Sequence, residues 1–225
     1  MQYHYLARCV CLLILMVPVP GGARSFLYNP TYLQFSKDAW QGSEPWAVSA
    51  VTPLLAAANR ALLEGPYSVI LSFHLIYVPG TTPHDFISTG AYWWPNPNTP
   101  NGLPYIRRDG HVNPDSAGSS TQLRPMAHAV NQLGLAYFFT EDETYAQQAA
   151  YLAREFFLTP ATRMNPHTEF GKIIPGVAEE GGFVVADIGN NFRVLYEGLG
   201  PIEASPHWTG NDKRAMQQWS AEFLH

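Results

Sequence analysis

Two pairs of side chains in one proline-rich stretch have the chemistry to handle an acidic sugar. Trp93 and Trp94 stand in Tyr92-Trp93-Trp94-Pro95, and Arg107 and Arg108 follow in Tyr105-Ile106-Arg107-Arg108-Asp109-Gly110. A guanidinium is a planar fork that pairs bidentately with a carboxylate. An indole or phenol offers a rigid, largely apolar face on which a sugar ring can stack, with a polar edge beside it. Tyr92 extends this aromatic set, and Lys172, farther along, is another cation able to meet an anionic sugar. The same residues also admit a plainer role. The two indoles would then be core plugs, one arginine would pair with Asp109 to brace the loop, and Lys172 would be a solvated surface charge.

Other chemistries leave no trace. The eight histidines include no His-Glu-x-x-His, and no cysteine or carboxylate cluster surrounds His84, His111, His128 or His167, so they read as singly satisfied side chains without a metal. Glu179 and Glu180 are adjacent in the chain, whereas a glycosidase needs two carboxylates that converge on one bond from separate positions. Neither a Gly-x-Ser-x-Gly element nor a phosphate-binding loop occurs.

The elements that must position these residues belong to a folded, weakly acidic protein. Of 225 residues, 46% are hydrophobic and 14% charged, a globular composition, and the formal net charge of -5 gives no general attraction to nucleic acid. Both cysteines, Cys9 and Cys11, fall in an apolar run that follows Arg8 and leads to Gly21-Gly22-Ala23. That is the pattern of a signal peptide over 1–23, cut near Ala23, and Pro18 and Pro20 interrupt the run too early for a membrane anchor. The mature chain, 24–225, is then expected to be secreted, free of disulfides and off the membrane.

Periodicity after residue 50 is mostly helical. Thr52-Pro53 reads as a helix start carrying Leu54, Leu55, Ala58 and Leu62 up to Gly65. Residues 69–78, β-branched and aromatic, read as a buried strand. From Pro79 to Pro114 the density of Pro, Gly and Asn forbids regular helix, and its aromatics argue against disorder. Met126, Val130, Leu133 and Tyr137 then share one helical face, and Thr140-Glu141-Asp142-Glu143 reads as a capping box opening a second helix with Tyr145, Ala149, Leu152, Phe156 and Phe157 inward. A Gly-rich connection over 171–182 precedes a helix marked by Ile188, Phe192, Leu195 and Leu199. A last helix begins near Asn211 and carries Met216, Trp219 and Phe223; it runs to His225 without a stop signal, so its apolar stripe is expected to lack a partner. Successive hairpins with long loops make an all-α layered fold.

The stretch Tyr92-Trp93-Trp94-Pro95 leading into Gly102-Leu103-Pro104-Tyr105-Ile106-Arg107-Arg108-Asp109-Gly110 and Asn113-Pro114 resembles the alginate lyase domain family. So do Ala153-Arg154-Glu155-Phe156-Phe157-Leu158, Thr162-Arg163-Met164-Asn165-Pro166 and Ile174-Pro175-Gly176. The resemblance implies an incomplete α/α toroid, here truncated at the C-terminus. It also implies cofactor-free β-elimination on an anionic uronic-acid polysaccharide such as alginate. Tyr92, Trp93, Trp94, Arg107, Arg108 and Lys172 are the candidate substrate-binding residues, with Lys172 standing where relatives often have Gln. The family's catalytic Asn-His pair and Tyr have no counterpart: the one Asn-Asn, Asn190-Asn191, is followed by Phe192. Catalytic residues are therefore left unassigned, and a truncated, non-catalytic carbohydrate-binding remnant is the alternative.

Overall fold

The computed structural model describes residues 24–76, 78–178, 181 and 185–224. The signal segment with Cys9 and Cys11 and the Glu179-Glu180 pair lie outside the described residues. The architecture is helical. Helix α1, Pro30–Gln41, starts at Asn29, whose side chain accepts from the Thr31 amide at 2.9 Å, with Pro30 in the first helical position. No helix among the described residues is long and apolar enough to cross a membrane.

Helix α2, Pro45–Ala61, begins seven residues before the predicted start at Thr52, and it holds Pro53 in its interior. Burial of Ala47, Val51, Ala58 and Ala61 along one stripe outweighs the hydrogen bond that a proline cannot give. The run from Val69, expected as a buried strand, is instead a 3-10 helix over Val69–Leu75, capped by the Ser68 side chain accepting from the Ile70 amide. Strand propensity is realised only beside a partner strand. Among the side chains described in it, Val69 and Ser72, three apart, are the buried ones, which is the period of a 3-10 turn.

Four short strands follow the turn. Strand β1, Ile87–Thr89, is later joined in parallel by β4, Phe170–Ile173, and β2, Trp93–Trp94, pairs antiparallel with β3, Ile106–Arg107. A 3-10 turn at Pro114–Ala117 leads into helix α3, Ser120–Thr140, which starts earlier than the pattern from Met126 suggested and keeps Pro125 inside its first turns. Its start is tied to β1: Ser119 donates its amide to the Ile87 carbonyl at 2.7 Å, and Ile87 donates back to Ser119 Oγ at 3.0 Å.

Helix α4, Glu143–Phe157, returns antiparallel to α3. The cap is not the predicted Thr140 box. Thr140 ends α3, its hydroxyl donating to the Ala136 carbonyl at 2.7 Å, and Asp142 caps α4 by accepting from the Thr144 amide at 3.0 Å. Both types cap well, and a two-residue reversal leaves only the later one free. Helices α5, Val185–Ile202, and α6, Gly210–Phe223, complete the fold, with a capping box at Thr209 and Asp212.

Helix α3 is the central element, packed most extensively on α5 and also on α4 and α2. The expected inward faces are inward: Met126, Val130, Leu133, Leu152, Phe156, Phe157 and Leu195 are fully buried. The stripe on the last helix, predicted to lack a partner, is covered by the chain's own helices. Trp219 is 5% exposed, its ring 4.6 Å from Phe157 and 6.0 Å from Phe192, and it stacks on Phe223 at 5.3 Å. Its indole also donates to the Met164 carbonyl at 2.9 Å.

An ion pair clamps α6 to α4. Arg154 meets Asp212 through two parallel bonds of 2.8 Å, Nε to Oδ1 and a terminal nitrogen to Oδ2, while Thr209 donates to the same carboxylate from its amide and hydroxyl. Arg154 first, and Thr209 with it, hold the Asp212 carboxyl at about 2 against an ordinary 3.8, outweighing the opposing effect of burial. A carboxyl lowered in the folded state contributes stability that is complete above about pH 4 and lost as pH falls through about 2. Between pH 5 and pH 2 the chain is predicted to lose about 2 kcal/mol more unfolding free energy than Asp212→Asn, as read from denaturant titrations at each pH.

Candidate functional site

The candidate residues are gathered on the β2–β3 hairpin. Trp93 lies opposite Arg107 and Trp94 opposite Ile106, and the next residue, Arg108, gives its amide to the Tyr92 carbonyl at 2.8 Å. The hairpin is not a core plug. Tyr92, Arg107 and Arg108 are exposed, and Trp93 and Trp94 are half-buried. The Arg108 guanidinium sits 5.3 Å from the centre of the Trp94 ring, a cation over an aromatic face. Arg107 does pair with Asp109, Nε to Oδ1 at 2.7 Å, but with side chains 61% and 72% exposed this is a weak, solvent-screened bond that a stronger anion can displace.

Hydrogen bonds below the hairpin fix its shape. Trp94 Nε1 donates to the His111 carbonyl at 2.9 Å, and buried Asn113 donates its side-chain amide to the Trp93 carbonyl at 2.9 Å and its backbone amide to Ala91 at 2.8 Å. Asn113 also accepts from the Asp115 amide at 3.1 Å and so starts the following 3-10 turn. Tyr105 donates its amide to the Pro175 carbonyl at 3.0 Å. Burial, and then the Asp115 charge, push the Tyr105 phenol above its ordinary value.

Lys172 belongs to the neighbouring sheet. It lies on β4 with φ of 59°, a left-handed conformation that costs energy for a residue with a side chain, and its amide donates to Ser88 Oγ at 3.0 Å. The next residue, Ile173, accepts from the Gly90 amide at 3.1 Å, two residues before Tyr92. Lys172 thus adjoins the base of the hairpin through the backbone, while the aromatic and arginine residues lie on the hairpin itself.

At the other end of β1 and β4 lies a polar joint that the sequence did not single out. Asp85, 4% exposed, accepts from Thr82 N at 2.7 Å, Thr82 Oγ1 at 3.0 Å and Asn165 Nδ2 at 2.6 Å, and His167 Nε2 is 3.1 Å from its Oδ1. His167 Nδ1 is buried without a hydrogen bond, 3.9 Å from Glu169 Oε2. His84 is satisfied by the Arg163 carbonyl at 2.7 Å. Eighty residues separate Asp85 from Asn165, so no local pattern announces their meeting. Among the described residues no group of three or more His, Cys, Asp or Glu is placed to hold a metal. Asn191 is buried in α5 and Asn190 accepts from Arg193 at 2.9 Å, away from the hairpin's hydrogen bonds.

The alginate lyase family model matches residues 77–225, which include the hairpin, Lys172 and the Asp85 joint. The chain belongs to the alginate lyase family. Its structure is similar to the crystal structure of an alginate lyase from Bacteroides ovatus, with a TM-score of 0.79 and 35% identity over 89% of this chain. The chain spans 52% of the length of that alginate lyase. No curated protein matches. Within this alginate lyase family domain, Asp85 ties the start of β1 to the segment that leads into its partner strand β4. Asp85→Ala would leave the Thr82 amide and Asn165 without their acceptor and is predicted to cost about 3 kcal/mol. His167→Ala, which removes one half-exposed partner, is predicted to cost about 1 kcal/mol. Denaturant titration of both variants checks the order.

Proposed function

We propose that this protein is a secreted polysaccharide lyase that acts by β-elimination on a uronic-acid polysaccharide such as alginate, seated on the β2–β3 hairpin. One observation carries the reading: an exposed guanidinium stacked over Trp94, with a second exposed guanidinium next to it in sequence. Such a surface offers a uronate both of its needs, a flat face for the ring and planar cations for the carboxylate.

Elimination requires removal of a weakly acidic proton on the carbon that bears the carboxylate. Pairing that carboxylate with guanidinium groups stabilises the charge that develops as the proton leaves. The bond to the neighbouring glycosidic oxygen then breaks, a carbon–carbon double bond forms, and the departing oxygen takes up a proton. Arg107 and Arg108 are the groups proposed to neutralise the carboxylate, with Lys172 as a further cation at the base of the hairpin and Trp93, Trp94 and Tyr92 holding the ring.

A second reading, binding without catalysis, is favoured by the missing Asn-Asn-His, since Asn190-Asn191 is followed by Phe192 inside a helix. The two readings separate in one assay. Incubation of the chain with alginate or another polyuronate is predicted to release product with the ultraviolet absorbance of the new double bond. The double variant Arg107→Ala/Arg108→Ala is predicted to lower kcat/KM by about a hundredfold, roughly 1.4 kcal/mol per guanidinium. Retained sugar binding without any product supports the second reading, and full activity in the double variant overturns the proposed site.

A further inference from the structure

Residues 24–27, ahead of α1, are docked on α5 by a set of contacts that the substrate site does not use. The carboxylate of Glu197 is 1% exposed and takes its hydrogen bonds from this arm: the Ser25 hydroxyl, the Phe26 amide at 2.9 Å and the Leu27 amide at 2.7 Å. Among the described residues no cation pairs with it. A buried carboxylate satisfied only by hydrogen-bond donors depends on those donors, and without the arm Glu197 would be a stranded charge. Phe26 packs edge-on against Tyr196, centroids 6.4 Å apart.

The seat for Arg24 is equally specific. The Arg24 nitrogen donates to the Gly200 carbonyl at 3.0 Å, and the Arg24 side chain meets Glu203 at 2.7 Å. A Cβ on Gly200 would stand 2.3 Å from the Arg24 carbonyl oxygen, so only glycine lets the arm lie this close. The Lys213 ammonium closes the far side by donating to the Glu203 carbonyl at 2.6 Å. Beneath the arm lies a cavity of about 60 Å³ lined in part by Arg24, Phe26, Glu203 and Trp208.

Arg24 directly follows Gly21-Gly22-Ala23, the small residues a signal peptidase reads. We propose that hydrolysis of the Ala23–Arg24 peptide bond is the maturation step, and that Gly200 and Glu203 form a receptor for the new N-terminus. Water supplies the balance: its hydroxyl goes to the Ala23 carbonyl carbon, which leaves as a carboxylate, and the Arg24 nitrogen becomes an α-ammonium. In the uncut chain that nitrogen is a neutral amide with one hydrogen. After cutting it is a cation set on a carbonyl of the last turn of α5, where the helix dipole favours positive charge, while Glu203 holds the side chain of the same residue. The cleavage step rests on the secreted reading above; the receptor itself does not.

Two measurements test the two parts. Mass and terminal sequencing of the exported product are expected to give Arg24 as the first residue; a different first residue in exported protein overturns the cleavage site, whereas failure of export overturns the secreted reading. The receptor is tested on residues 24–225 made with a free Arg24 terminus, with Ala23 retained, and with an acetylated Arg24. The free form is expected to melt about 3 °C above the other two at pH 7. Because docking stabilises the ammonium, this advantage is present at neutral pH and is lost as pH rises beyond about 9, and Glu203→Gln reduces it. Equal melting of the three forms across the pH range overturns the receptor, whatever the export experiment shows.

Discussion

The approach of α3 to α5 at two glycines is the constraint on which the remaining packing depends. A Cβ on Gly134 would lie 2.0 Å from the Gly198 carbonyl oxygen, and one on Gly198 would lie 2.5 Å from the Asn131 Cα, so neither position can hold a larger residue without the helices separating. Backbone contact at this point lets the apolar faces of both helices interlock on either side. The residue before Gly198 is Glu197, which therefore emerges beside this backbone contact and is satisfied by the arm. Helix α3 also starts at the Ser119–Ile87 exchange, which passes its rigid position to β1.

From β1 the order reaches the exposed hairpin by short polar links. Asp85 joins the start of β1 to the segment before β4, Gly90 joins β1 to Ile173, and Asn113 secures the hairpin from below. A proline-rich loop is thereby held in one shape without a large sheet of its own. Binding groups on such a loop lose little conformational entropy when a ligand arrives. The Arg108 guanidinium lies 5.3 Å from the centre of the Trp94 ring on this loop.

Much of the scaffold was legible in the sequence because it is governed by burial at helical period. The inward faces of α3, α4, α5 and α6 follow from residues such as Val130, Phe156, Leu195 and Trp219. Reading failed where tertiary context overruled local chemistry. Pro53 looked like a helix start and lies within α2, Thr140 looked like a cap and ends α3, and the run from Val69 looked like a strand and folds as a 3-10 helix. The partner of Trp219 could not be read either, since Phe157 and Phe192 lie on other helices.

The same division holds at the candidate site. Trp93, Trp94, Arg107 and Arg108 were legible because both pairs sit in one loop whose side chains have obvious use for an acidic sugar. Asp85 and His167 were not, because a buried carboxylate and its donors are brought together only by the parallel pairing of β1 with β4. The central claim, that Trp94 and Arg108 act as one stacked recognition surface, is tested most directly by calorimetric binding of an oligouronate in a double-mutant cycle of Trp94→Ala and Arg108→Ala. The account predicts that each single variant weakens binding about tenfold and that the two losses are coupled by about 0.5 to 1 kcal/mol. Unchanged affinity in both single variants would contradict it.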